Sequence, residues 1–170
     1  MSIPKTEMRN PLSMNMDTMS SEDMALLVIR ANYDAVSACE KASAQIAKAV
    51  QAIADSFKKG GRLFYVGAGT SGRLGVIDAS ECPPTFGVSY DLVQGIIAGG
   101  NERMFRAGEN EEDKYENGCA AVTDYGILGG DVVVGISAAG NARYVLGAME
   151  TAKAMGCVTV GISCNEDTLI

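Results

Sequence analysis

The chain has 170 residues, enough for one domain of ordinary size whose core needs neither metals nor disulfides to fold. Its 14 Lys+Arg against 21 Asp+Glu give a net charge of −7, which disfavours nucleic acid and anionic membrane surfaces as partners, and a composition of 47% hydrophobic and 21% charged residues excludes disorder. There is no histidine, so Ser-His or Cys-His catalytic pairs and His-ligated zinc are excluded, and acid–base work falls to Glu, Asp, Lys, Tyr or Cys.

Residues 1–19 read as an irregular, polar, methionine-rich arm with Pro4 and Pro11, and its start lacks the apolar stretch of a signal peptide. Ser20 or Ser21 is the expected N-cap of a helical region over 20–59, with Glu22 and Asp23 in its first turn. Ile46, Val50, Ile53, Ala54 and Phe57 form one apolar face, and Lys58-Lys59 before Gly60-Gly61 suit the stop. A helical pattern this long exceeds the usual length of about 8–20 residues, so two helices with a break near Ser37–Cys39 are expected.

From Arg62 onward short apolar runs alternate with helical stretches. The runs are Leu63–Val66, Val93–Ala98, Asp131–Ser137 and Val158–Ser163, and the helical stretches between them are roughly 102–124 and 141–155. Strands of this kind are buried on both faces, so the fold class is α/β, a doubly wound parallel sheet over 60–170 preceded by N-terminal helices. Right-handed crossovers bring the strand C-terminal ends to one edge, where such sheets bind ligands. That edge collects Gly67–Gly72, Gly99-Gly100, Ser137–Gly140 and Ser163–Asn165. Because the sequence stops soon after the fourth strand, with no helix to cover it, the sheet reads as incomplete at its C-terminus or as covered by a partner. No apolar run approaches the roughly 18 residues of a membrane span, and the five cysteines, odd in number and without CxxC spacing, read as reduced cytosolic thiols.

Gly67-Ala68-Gly69-Thr70-Ser71-Gly72 fits GxGxxG directly after a strand. A dinucleotide site is disfavoured. The acidic residue wanted about 20 positions on is missing, since Asp91 precedes the second strand and Glu102 comes too late, and Pro83-Pro84 is expected to interrupt the following helix. Thr70 and Ser71 instead add hydroxyls to the free N–H groups of a helix start, a concavity suited to one phosphate. Two carboxyl groups can run acid–base chemistry without histidine. Glu81 is the first candidate, expected to be buried among apolar neighbours. The run Glu109-Asn110-Glu111-Glu112-Asp113 holds the second, and spacing alone does not choose among its acids.

The run GAGTSGRLGVIDASECPPTFG from Gly67 to Gly87 closely resembles the signature of the N-acetylmuramic acid 6-phosphate etherases, members with the glucokinase regulatory protein of the sugar isomerase (SIS) domain superfamily. TEMRNP at Thr6–Pro11, IAGG at Ile97–Gly100 and SCN at Ser163–Asn165 extend the likeness over nearly the whole chain. The resemblance implies a lyase that cleaves the D-lactyl ether of a phosphorylated amino sugar in bacterial cell-wall recycling, cytoplasmic and homodimeric, with helices 20–59 packing on or swapping between SIS domains and the site at the subunit contact. No metal or redox cofactor is implied. It puts Glu81 at the proton-donor position and Glu112 at the second catalytic position, and it assigns substrate binding to Gly69, Thr70, Ser71, Gly72, Ser137 and Asn141. The loop after the third strand departs from the family pattern: Ala139 and Ala142 stand where hydroxyl residues are expected, a loss of roughly 1–3 kcal/mol each if those donors were paired, with Arg143 as a compensating charge. The runner-up function is a non-catalytic sugar-phosphate-binding regulator, and a third is a sugar-phosphate aldose–ketose isomerase, against which the ECPPTFG run argues.

Overall fold

The computed structural model describes residues 5–170; the first four residues of the expected arm, Pro4 included, lie outside it. From Lys5 the arm passes through three short 3-10 turns before Ser20 caps the first helix, α1 (Ser21–Lys41), by accepting the Asp23 N–H at 3.1 Å. A second helix, α2 (Ser43–Lys58), follows almost without interruption. The break falls at Ala42 rather than near Ser37–Cys39. No Gly or Pro is there, and the Ala42 N–H is shared between the carbonyls of Ala38 and Cys39, each at 3.1 Å, so the helix tightens for one residue and restarts.

The sheet has four parallel strands, β1 (Leu63–Gly67), β2 (Val93–Ile97), β3 (Val132–Ile136) and β4 (Val158–Ile162), in the order β2-β1-β3-β4. Three further helices complete the wound fold: α3 (Gly69–Phe86), α4 (Tyr115–Asp124) and α5 (Arg143–Ala154). The apolar runs alternate between two cores, as the pleat requires. Phe64, Val66 and Val133 point to the face covered by Val122 of α4 and Val145 and Ala148 of α5. Leu63, Val132 and Val134 point to the face covered by Ala79 of α3 and by Ile53 and Phe57 of α2. Gly118 and Gly147 set the close crossing of α4 and α5, since a Cβ on either would run into backbone of the other helix.

Two expectations are corrected. Pro83-Pro84 does not end α3, which runs on to Phe86. The prolines fall in its last turns, where only a few bonds are lost, and Gly87, at φ 67°, closes the end by donating its N–H to the Pro83 carbonyl at 2.9 Å. The stretch 102–124 is not one helix. It holds short 3-10 turns at Asn101–Met104 and Glu111–Asp113, and α4 begins only at Tyr115. Gly108 and the left-handed Asn110, at φ 61°, interrupt it.

Coverage is uneven. α1 has no buried residue, and Ile29, Tyr33 and Val36 stand exposed along it. Only the lower half of the α2 stripe is packed, with Ile46 and Val50 exposed. The edge strand β4 leaves Val158 and Ile162 nearly half exposed. No helix among the described residues is long and apolar enough to cross a membrane.

Candidate functional site

At the C-terminal edge of the sheet, β1 turns directly into α3. The turn is possible because Gly67 and Gly72 touch: a Cβ on Gly67 would come within 2.6 Å of the Gly72 nitrogen, and one on Gly72 within 2.7 Å of the Gly67 carbonyl oxygen. α3 starts at Gly69 behind Ala68, whose side chain cannot cap it. The first N–H groups of α3 therefore lack both intrahelical acceptors and a side-chain cap, and Thr70 and Ser71 add hydroxyls to that first turn.

A cleft of about 330 Å³ opens beside this turn. Its walls include Gly69, Arg73, Arg103, Glu109 and Glu112, so the turn and the acidic run meet there. Gly99 brings the two walls together. It sits at φ +81°, and a Cβ there would be 2.8 Å from the Arg103 stem and 2.9 Å from Glu111. The acids that spacing left equivalent differ in place. Glu109, Glu111 and Glu112 all line the cleft, Glu111 half-buried and tied to Lys114 at 2.9 Å, Glu109 and Glu112 exposed, and Asp113 is not among the lining residues.

The other expected residues lie elsewhere. Ser137 is buried at the end of β3, and its Oγ accepts the N–H groups of Gly140 at 3.1 Å and Ala142 at 3.4 Å. It thus braces the β3–α5 turn from within. Asn141 is exposed on the same turn. Glu81 is exposed rather than buried, and it does not line the cleft. It sits on α3 roughly 18 Å along the helix from Gly69 at 1.5 Å per residue, two residues before Pro83. Its neighbour Cys82 is a packing residue: burial, and then the Asp78 carboxylate, raise its thiol above the ordinary range, opposite to what a nucleophile needs.

Two features had no local signal. Arg73 and Arg103 line the cleft, and only a three-dimensional neighbourhood reveals it. The arm is also tied to the sheet edge. Lys5 donates its N–H to Asn165 Oδ1 at 2.9 Å, and Asn165 Nδ2 donates to Thr6 Oγ1 and to the Ala138 carbonyl, each at 3.2 Å. The TEMRNP and SCN runs are therefore partners. Among the described residues, no cluster of three or more His, Cys, Asp or Glu side chains is gathered as a metal would require.

Residues 45–153 match the family described as the glucokinase regulatory protein N-terminal SIS domain. Over 97% of its length the chain is 48% identical to an N-acetylmuramic acid 6-phosphate etherase of Pasteurella multocida, of which it spans 55%. It is 46% identical over 96% of its length to the protein of that name in Clostridium beijerinckii, spanning 54% of it. The chain thus spans about half the length of the curated relatives it matches. Among solved structures, a phosphoheptose isomerase from Francisella tularensis superposes with a TM-score of 0.63 at 18% identity, covering 85% of this chain and 75% of that one. One from Neisseria gonorrhoeae gives 0.64 at 16% identity with the same coverage. At such identities the likeness concerns the fold alone.

Proposed function

Since the chain belongs to the SIS-domain family of the N-acetylmuramic acid 6-phosphate etherases and the glucokinase regulatory protein, we propose that it serves in a lyase that splits the D-lactyl ether of N-acetylmuramic acid 6-phosphate. The observation that carries this reading is the cleft in which Glu112 faces the start of α3. The free N–H groups of Gly69, Thr70 and Ser71 and the Thr70 and Ser71 hydroxyls hold the phosphate, Gly72 keeping the turn tight enough for its approach, while Ser137 shapes the neighbouring turn from which Asn141 meets the sugar.

The chemistry follows from the substrate. In the ring-opened sugar the C1 aldehyde acidifies the C2–H, and the ether oxygen leaves from C3. Glu112 takes the C2 proton, the C2–C3 double bond forms as the C3–O bond breaks, and Glu81 gives a proton to the departing lactate oxygen. Water then adds across the double bond, its hydroxyl to C3 and a proton to C2, giving N-acetylglucosamine 6-phosphate. Each carboxyl contributes roughly 10²–10⁴ in rate. For Glu81 to take part it must meet a cleft its own chain does not bring it to, and a second copy supplies the geometry. In that homodimer the 20–59 helices pack on or swap between the 60–170 SIS domains, which agrees with an α1 that buries nothing on its own chain. The setting is cytoplasmic recycling of the bacterial cell wall.

The test is D-lactate release from N-acetylmuramic acid 6-phosphate by the purified protein. Glu81→Gln and Glu112→Gln should each lower kcat by at least about 10²-fold, and unchanged turnover in either variant would remove that residue from the mechanism. A second reading, a sugar-phosphate-binding regulator without catalysis, is favoured by Ala139 and Ala142 and by the internal engagement of Ser137. Tight binding of N-acetylglucosamine 6-phosphate with no lactate released would establish it.

A further inference from the structure

Among the described residues, the ion pairs involve Lys5, Lys58, Arg62 and Lys114, and neither Arg73 nor Arg103 shares a carboxylate, although both stand in a cleft with Glu109 and Glu112. They are held by backbone instead. Arg73 Nε donates to the Met104 carbonyl at 3.1 Å, and Arg103 Nη1 reaches the Ala107 carbonyl at 3.5 Å. Arg103 Nε is buried and has no partner. A desolvated donor left unpaired is costly, more so when charged. Apart from the long contact of Nη1 with the Ala107 carbonyl, the donors of this fork have no partner among the described residues, and a carboxylate with two oxygens is the group that answers two of them at once. The chain makes such a pair elsewhere: Arg62 grips Asp131 through Nε at 3.3 Å and Nη2 at 2.7 Å. At Arg103 the backbone of Gly108 lies over Nε, and a Cβ there would be 2.6 Å from it, so an oxygen reaching Nε has one side-chain-free residue to displace.

We infer that Arg103, flanked by Arg73, is the specificity-determining carboxylate receptor of the cleft, taking the carboxylate of the 2-alkoxy acid (the lactyl arm) while the turn at Gly69–Gly72 takes the phosphate. The inference rests on the lactyl-ether reading above and extends it, because it separates the substrate's two anions onto two sets of donors.

The experiment compares two ligands by calorimetry in a Glu81→Gln background, in which turnover is slowed at least about 10²-fold: N-acetylmuramic acid 6-phosphate, which has the carboxylate, and N-acetylglucosamine 6-phosphate, which lacks it. Arg103→Met should weaken the first by about 10- to 100-fold, as loss of a charged hydrogen-bonded pair does, and leave the second within about twofold. Arg103→Lys, which keeps the charge and loses the fork, should remain several-fold weaker than the parent for the first ligand alone. Unchanged binding of the second ligand also serves as the folding control. Equal weakening of both ligands would overturn the inference by assigning Arg103 to the phosphate or to the fold, and no weakening of either would overturn it outright. If the parent binds neither ligand, the lactyl-ether reading falls and this inference with it.

Discussion

The two ends of the same sheet are built on opposite principles. At the N-terminal end, where β1 and β3 begin, the buried polar side chains are answered. Asp131 is buried and accepts from the Arg62 guanidinium, from the Arg62 N–H at 2.8 Å and from the Leu128 N–H at 2.9 Å. Arg62 also donates to the Gly126 carbonyl at 2.6 Å and lies over the Phe64 ring, and Ser56 Oγ donates to the Gly130 carbonyl at 2.6 Å. At the C-terminal end, helix N–H groups, an arginine fork and an exposed glutamate are left unanswered. One end is closed by paired groups, and the other is held open by glycines. The lesson is that polarity alone does not mark a site; unpaired polarity around a cavity does.

This contrast can be broken in four ways, beginning with the largest expected effect. Asp131→Ala leaves Arg62 with a half-buried, unpaired charge and should cost about 3 kcal/mol, the lower end for breaking a buried pair because Arg62 keeps some solvent. Urea unfolding measures it, and a loss under about 1 kcal/mol would mean that the N-terminal end is no more than a surface ion pair. Gly67→Ala drives a Cβ into Gly72 and should cost about 1–3 kcal/mol while weakening sugar-phosphate binding, the only variant here to strike both properties.

Acid titration is the third. Burial alone would push the Asp131 carboxyl up, but the Arg62 guanidinium and two backbone N–H groups more than offset it and hold it below its usual 3.8. The unfolded chain therefore binds more protons across the interval between the two values. The stability contributed by Asp131 is complete above the unfolded value and is lost as pH falls through the folded one, so thermal melts should fall off below about pH 4. In Asp131→Asn that acid limb should flatten, and an unaltered limb would assign it to other carboxylates. The smallest expected stability change is for Glu112→Gln, within about 0.5 kcal/mol because the side chain is exposed. A larger loss in melting would show that the open end also bears structural load.

Much of this was legible in the chain itself. The four strands came within a residue or so of their observed bounds, and the turn after the first strand was fixed by Gly67, Gly69 and Gly72, because apolar runs and steric permissiveness are local properties. The cap was readable to within one residue, Ser20 or Ser21, for the same reason, and Ser20 takes the place. The same local reading misjudged α3 and the 102–124 stretch, where proline near a helix end and a left-handed asparagine change the outcome without changing the periodicity.

What the tertiary structure decided was which distant residues meet. Asp131 answers Arg62 across 69 positions, Asn165 holds Lys5 across 160, and Arg103 faces the start of α3 only because β2 lies beside β1. The exposure of Glu81 was likewise set by which side of α3 rests on the sheet. Periodicity and turn chemistry act over a few residues and can be read along the chain. Pairing of charges and opening of a cleft depend on where the chain returns in space, and that is set by the packing of the whole.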